Sequence, residues 1–211
     1  PASFLWSYAE YVERERIGRL PRMILPLMSA GLRDWDRRAA ERVTQFVAIS
    51  RAVQARIAAY YQRDSIIIHP PVGVARFSIS RERGDYFLIL SRLVPYKRID
   101  LAIQACGQLG LPLVIAGAGR DRARLEALAQ PNVRFRGRVS DAEARDLLAR
   151  CRAFIFPGEE DLGITPLEAN ACGKPVIAFA GGGALETIVE GVTGELFREP
   201  TAQSLANVIR A

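Results

Sequence analysis

The chain of 211 residues holds one histidine, two lysines and three cysteines. Each scarcity closes off a class of function. His69 alone builds no histidine metal site. Cys106, Cys151 and Cys172 are far apart, odd in number and free of Cys-x-x-Cys spacing. They read as reduced thiols of a cytosolic protein, with no metal centre and no disulfide framework. Long apolar runs are also missing. MILPLMSAGL is too short to span a bilayer and carries Pro26. No stretch reads as a signal peptide.

What is present is an ordinary soluble composition, 49% hydrophobic and 25% charged, in a chain long enough for one large or two small domains. The sequence begins at Pro1 and stops at Ala211 inside a predicted helix, so it reads as a piece of a longer protein. Its charge of +6 is uneven: residues 1–63 hold eleven Arg, no Lys and six acids, which accounts for +5. No aromatic-interleaved basic motif or zinc spacing accompanies these arginines, so nucleic acid is not the expected partner. A solvated helical face is the preferred reading. The alternative is contact with an anionic membrane surface, through an apolar stripe of Trp6, Ile17, Leu20, Met23, Ile24 and Leu27 beside the arginines.

Residues 1–44 predict helices broken at Pro21 and Pro26. QFVAIS predicts a buried strand, Ser50 an N-cap, RAVQARIAAYY a helix and SIIIH a second strand. Residues 73–84 predict a connector. The expected division is therefore 1–80, a partial helical and α/β segment, and 81–211. From Asp85 onward the pattern alternates. YFLIL, LPLVIAG, NVRFRG, RAFIFPG, KPVIAFA and GELF predict strands. KRIDLAIQACGQL, RDRARLEALA, DAEARDLLARC, PLEANAC, ALETIVE and a run from Thr201 predict helices. Ser140 and Glu143 fit a capping box. This alternation is that of a Rossmann-like, doubly wound parallel α/β sheet. Its ligands belong at the carboxyl ends of the strands.

The strand-end loops carry the candidate chemistry. SRLVPYKR sets Arg92 and Lys97 at a helix start, where the macrodipole disfavours cations unless an anion sits between them. AGAGRDR gives Gly117 and Gly119, but Arg122 stands where a dinucleotide fingerprint needs its third glycine, so a typical NAD enzyme is not expected. A tight turn open to a ligand and a plain turn fit equally. GEEDLGITPLEANACGKP carries Glu160 and Glu168. Thr165, Pro166 and Glu168 fit an N-cap, N1 and N3, a capping box. That leaves Glu160 unexplained, and also why Leu162, Gly163 and Ile164 present amides before a helix. A carboxylate facing such a loop suits the diol of a ribose or hexose. Gly181–Gly183 read as a close-packed turn, with a phosphate cradle as the alternative. Asp34-Trp35-Asp36 has the spacing of a metal-binding Asp-x-Asp, but helical residues two apart diverge, so no metal is expected.

With these motifs in this order, residues 85–210 resemble the donor domain of a GT-B glycosyltransferase of glycosyltransferase family 4. The resemblance rests on the Arg-x4-Lys of SRLVPYKR, the GAG turn, FRGRVSD, the Glu-x7-Glu of EEDLGITPLE, ANACGKPVIA and the GGG…E…GVTGELF tail. LRDWDRRAAERVTQFVAISRAVQARI and HPPVGVARF are similar to bacterial mannosyltransferases of polysaccharide and O-antigen synthesis. Gly73 departs from that pattern, which usually has Asp after Pro-Pro-Val. The resemblance implies retaining, metal-independent transfer of a sugar from a nucleoside diphosphate sugar, with GDP-mannose as donor. It implies a glycan or lipid-linked oligosaccharide as acceptor. The expected setting, from the thiols and the charge, is cytoplasmic, with peripheral contact at the inner membrane face as the alternative. The resemblance gives Arg92 and Lys97 the diphosphate, Glu168 the ribose, and Glu160 with the Gly163 and Ile164 amides the sugar and its phosphate, with Leu162 and Thr165 counted among the binding residues. Arg138 and Val139 fall near the base. No cofactor is implied. A catalytic group of the facing domain falls outside this chain, which alone is expected to be inactive, and His69 between a strand and two prolines reads as structural. A non-catalytic nucleotide-sugar module and a sugar-nucleotide epimerase are the alternatives. A phosphorylase would need pyridoxal phosphate on Lys97 or Lys174, and both lysines have other uses.

Overall fold

A computed structural model describes Trp6 and residues 19–82 and 84–211, with side chains from residue 30 onward besides Trp6. The chain forms two compact units, Pro1–Pro70 and Pro71–Ala211.

In the first unit, helix α1 (Arg19–Glu41) precedes strand β1 (Phe46–Ala48), helix α2 (Arg51–Tyr61) and strand β2 (Ser65–Ile67). The expected breaks at Pro21 and Pro26 do not occur, for α1 runs through both. Pro21 stands in the first described turn, where an amide would lack an intrahelical partner, and Pro26 removes a single interior bond. Ser50 caps α2 as expected, accepting from the Val53 amide. β1 and β2 pair in parallel. Trp6 stacks on Tyr60 at 4.8 Å, and its Nε1 donates to Asp36 Oδ2, which also accepts from the Tyr61 hydroxyl. Trp6 is half-buried and engaged inside the unit. The other five proposed stripe residues lie outside the described side chains. Asp34 pairs instead with Arg38, so the two aspartates of Asp-x-Asp serve different partners, as helical geometry requires. His69 Nδ1 lies 2.9 Å from the Ile49 carbonyl.

The second unit contains β3 (Phe87–Leu90), α3 (Ile99–Leu109), β4 (Leu113–Ala116), α4 (Arg122–Leu128), β5 (Val133–Gly137) and α5 (Asp141–Arg150). It continues with β6 (Ala153–Phe156), α6 (Ile164–Ala171), β7 (Val176–Phe179), α7 (Ala184–Thr187), β8 (Gly194–Phe197) and α8 (Ala202–Arg210). All six strands are parallel, in the order β5-β4-β3-β6-β7-β8. The winding reverses at β3, which pairs with β4 on one side and β6 on the other. Phe87, Leu88 and Ile89 of this central strand are buried on both faces, as a covered parallel strand requires. One apolar layer gathers Ile89, Ile103, Leu113, Leu125 and Leu205, and the other gathers Leu88, Leu148, Phe154 and Val176. At the edge, β5 turns Arg134 and Arg136 outward, which blunts it against pairing with another chain.

Ser140 and Glu143 form the expected capping box on α5. Three expected boundaries move. α3 begins at Ile99, because Arg98 takes φ +50° and Pro95–Lys97 form a separate 3-10 turn. α7 has only four residues, ending where Ile188 turns extended. α6 begins at Ile164, with Gly163 as its N-cap at φ +83° and no side-chain cap bond. The expected connector 73–84 is fastened to the second unit: the Ser80 amide donates to Cys172 O and the Gly84 amide to Arg150 O. Lys174 Nζ donates to the Glu82 carbonyl. Cys106, Cys151 and Cys172 are free and buried. No described helix is long and apolar enough to cross a membrane.

Candidate functional site

The loops that leave β3, β4, β5, β6 and β7 share the carboxyl edge of the sheet, and hydrogen bonds tie them together. After β3, the Ser91 amide donates to Ala116 O and the Leu93 amide to Ala118 O, while Leu93 O accepts from the Asp121 amide. Leu93 is fully buried and anchors this loop. Gly117 and Gly119 are glycines because the two loops touch backbone to backbone. A Cβ on Gly117 would lie 1.8 Å from Ser91 O, and one on Gly119 would lie 2.1 Å from Leu93 O. The Gly117 amide donates to Gly137 O at 2.6 Å. These contacts account for both glycines as packing residues.

The β3 loop presents the cations. Arg92 is exposed and its Nη2 donates to the Tyr96 hydroxyl at 3.1 Å. Lys97 lies in the 3-10 turn, two residues before α3. Its Nζ forms an ion pair with Glu160 Oε1 and stands 5.3 Å from the Tyr96 ring centre. Both charged side chains are largely covered, 16% and 20% exposed. Burial first, and the Arg92 guanidinium second, hold Lys97 down to about 8. The Glu160 carboxylate works in the opposite direction.

The stretch after β6 carries the other partner of that pair. Glu160 is not part of a helix, and its side chain reaches Lys97. The capping box expected for Thr165 and Glu168 is absent. With Gly163 as N-cap, Thr165 is the second helical residue and Glu168 the fifth, beyond capping reach. The physical cause is the left-handed Gly163, which opens α6 two residues early. The amides of Leu162, Gly163, Ile164 and Thr165 have no hydrogen-bond partner among the described residues. They stand at the positive end of α6. Glu168 is half-buried, and its carboxylate has no hydrogen-bond partner among the described residues. Burial first and the Asp141 carboxylate second push its pKa up. Asp141 opens α5 directly after the β5 loop of Arg138, which is exposed, and Val139, which is half-buried.

The structure thus brings Arg92, Lys97 and Glu160 into one cluster. Glu168 lies within electrostatic reach of Asp141, at the end of the Arg138–Ser140 loop. Sequence reading missed Tyr96, although it lies inside the Arg-x4-Lys, and it missed Asp141. The close packing expected of Gly181–Gly183 is found, with Gly182 and Gly183 against the Glu160 loop. The approach of Gly158 to Lys97 was not foreseen, since backbone proximity across loops leaves no local pattern. A cavity of about 1130 Å³ at the opposite edge of the sheet is lined by Ile79, Phe87, Ala153, Lys174 and Val176 among others. It lies away from this cluster, at the starts of the strands.

Residues 75–211 match the family model described as Glycosyl transferases group 1. A glycogen synthase of Pseudomonas aeruginosa is 36% identical over 144 residues, covering 64% of this chain and 28% of that protein. A GDP-mannose-dependent alpha-(1-6)-phosphatidylinositol monomannoside mannosyltransferase of Mycolicibacterium smegmatis is 33% identical over 178 residues, covering 69% and 47%. The chain spans less than half of either relative. Among solved structures, Anabaena Alr3699/HepE in complex with UDP-glucose superposes with a TM-score of 0.71 at 24% identity, covering 80% of this chain and 53% of that one.

Proposed function

From the premise that this chain belongs to the glycosyl transferases group 1 family, we propose that residues 71–211 bind a nucleoside diphosphate sugar at the carboxyl edge of the sheet. The full-length protein then transfers the sugar to an acceptor hydroxyl. The observation that carries this reading is the convergence of Arg92, the Lys97–Glu160 pair and the unpartnered amides of Leu162–Thr165. Breaking the bond between the anomeric carbon and the phosphate oxygen leaves negative charge on the departing diphosphate. Fixed cations and amide hydrogens aimed at that charge lower the barrier without reorganising. Arg92 and Lys97 supply the positive charge that a divalent metal supplies in other transferases, and the proposed reaction needs neither metal nor cofactor.

In this reading the half-buried Glu168 accepts hydrogen bonds from the ribose diol, and Glu160 from hydroxyls of the sugar. Gly163, Ile164 and Thr165 meet the phosphates. Leu162 fixes the loop, and Arg138 and Val139 flank the base, with Gly117 and Gly119 shaping the floor. The mannosyltransferase relative supports GDP-mannose as donor and a glycan or lipid-linked acceptor. We assign a retaining course on the family resemblance, and a cytoplasmic setting on the three free thiols. Residues 71–211 by themselves are expected to bind the donor without transferring its sugar.

Calorimetry with GDP, UDP, GDP-mannose and UDP-glucose, each with and without chelator, tests the reading. The expected result is chelator-insensitive binding of the guanosine compounds. Preference for the uridine compounds would overturn the mannose assignment alone. A folded protein that binds none of the four would overturn the site.

A further inference from the structure

We infer that the turn Gly182–Gly183 is a positioning element for Glu160, holding that carboxylate against Lys97 from the far side of its loop. The backbone of residues 158–162 is gripped from two directions. On one side, a Cβ on Gly158 would lie 2.9 Å from Lys97 Cα and from Lys97 O. On the other, a Cβ on Gly182 would lie 2.1 Å from Glu160 O, and one on Gly183 would lie 2.2 Å from Leu162 Cα. Real Cβ atoms do not approach so closely, so neither glycine accepts a side chain without moving the Glu160 loop. Gly182 adds φ +55°, a conformation L side chains rarely adopt. A hydrogen bond completes the grip: the Gly183 amide donates to Glu160 O at 2.8 Å. Gly183 O in turn accepts from the Glu186 and Thr187 amides, which roots the turn in α7.

These contacts give the three glycines one function. Two strand-end loops and the Lys97 turn share a backbone-to-backbone seam, and the Glu160 side chain is delivered from its middle. A carboxylate held a fraction of an ångström out of register would lose the ion pair and the geometry of any ligand hydroxyl it serves. The geometric claim is independent of the proposed function. Only its consequence for sugar transfer rests on that reading.

The chain itself supplies the probe. Lys97 and Lys174 are its only lysines, so reductive 13C-methylation gives two lysine signals whose titration is followed by NMR without any ligand. The charged groups facing Lys97 are Glu160 from the β6 loop and Arg92 from its own, with the Tyr96 ring beside it. Glu160→Gln removes an opposite charge in contact, and the Lys97 midpoint should fall by about 1 pH unit. Gly183→Ala should lower it in the same direction, and should add nothing in the Glu160→Gln background, because it acts through that carboxylate. Gly110→Ala strains a left-handed glycine far from this seam, at the end of α3 with nothing within 4 Å, and should leave the midpoint unchanged. If Gly183→Ala does not fold, Gly182→Ala presses on Glu160 O from the same turn and carries the same cycle. An unchanged Lys97 midpoint in a folded variant, or full additivity with Glu160→Gln, would overturn the inference. Failure to bind any nucleoside diphosphate would instead overturn the functional reading and leave the titration interpretable.

Discussion

Lys97 and Glu160, 63 positions apart in the chain, meet as an ion pair that joins the loop after β3 to the loop after β6. These two strands lie side by side at the point where the winding reverses. The pair therefore spans the place where an open parallel sheet admits a ligand.

Removing the cations should weaken nucleoside diphosphate binding. A charge-assisted hydrogen bond contributes ~1.5–3 kcal/mol, so Lys97→Ala should raise the Kd roughly 10–100-fold. Arg92 is exposed, so Arg92→Ala should cost less, on the order of tenfold. Calorimetry on both variants and on the double variant checks this. An unaltered Kd in the double variant removes the diphosphate from this edge.

Binding should also depend on pH with a defined sign. Lys97 lies near about 8 in the free protein, so above that pH a growing fraction is neutral. A diphosphate favours the charged form. Affinity should therefore hold below pH 7 and decline through pH 8–9.5, with a proton taken up on binding in that range. Calorimetry in buffers of different ionisation enthalpy measures the uptake. A flat affinity from pH 7 to 9.5, with no uptake, would contradict it.

Glu168 should trade stability for function. Its folded pKa is raised, by burial first and Asp141 second. The folded state thus binds its proton more tightly than the unfolded state, and stability drops as pH rises from the unfolded value through the raised folded one. Glu168→Gln should melt higher than the parent at pH 7, and the two should converge near pH 3, where both forms are neutral. The same substitution should weaken nucleotide binding. A lower Tm at pH 7 would mean that the carboxylate has a structural partner.

Two cap substitutions should differ. Ser140→Ala removes an observed capping box and should cost about 1 kcal/mol. Thr165→Ala removes no cap, since Gly163 holds that position. Denaturant titrations of both proteins compare the losses. Equal destabilisation would return Thr165 to the capping role that its sequence suggests.

Much of the second unit was legible because its signals are local. Apolar runs such as Phe87–Leu90 and Val176–Phe179 mark strands buried on both faces, and Ser140 with Glu143 announces a helix start within four residues. Misreadings arose where one residue's backbone overrides its neighbourhood. Arg98 at φ +50° detaches Lys97 from α3, and nothing in an arginine advertises that conformation. Gly163 opens α6 early and frees Glu168 from the capping duty that Thr165-Pro166 implied. Pro21 and Pro26 predicted breaks that α1 absorbs. In the candidate site, residue types and strand-end placement were readable. The pairing of Lys97 with Glu160 and the nearness of Asp141 to Glu168 were not, because both join segments that only the folded sheet brings together.

The central station of β3 also governs how the protein is made. A ribosome delivers β3, β4 and β5 first, so β3 acquires a neighbour on one flank only. Its other flank stays bare until Ala153–Phe156 emerges, roughly 60 residues and ~3–12 s later at usual elongation rates. During that interval the nascent chain exposes a hydrophobic strand edge of the kind that recruits other chains. It also carries Lys97 without Glu160, so the ion pair that joins the two loops forms only after β6 and its loop have been added.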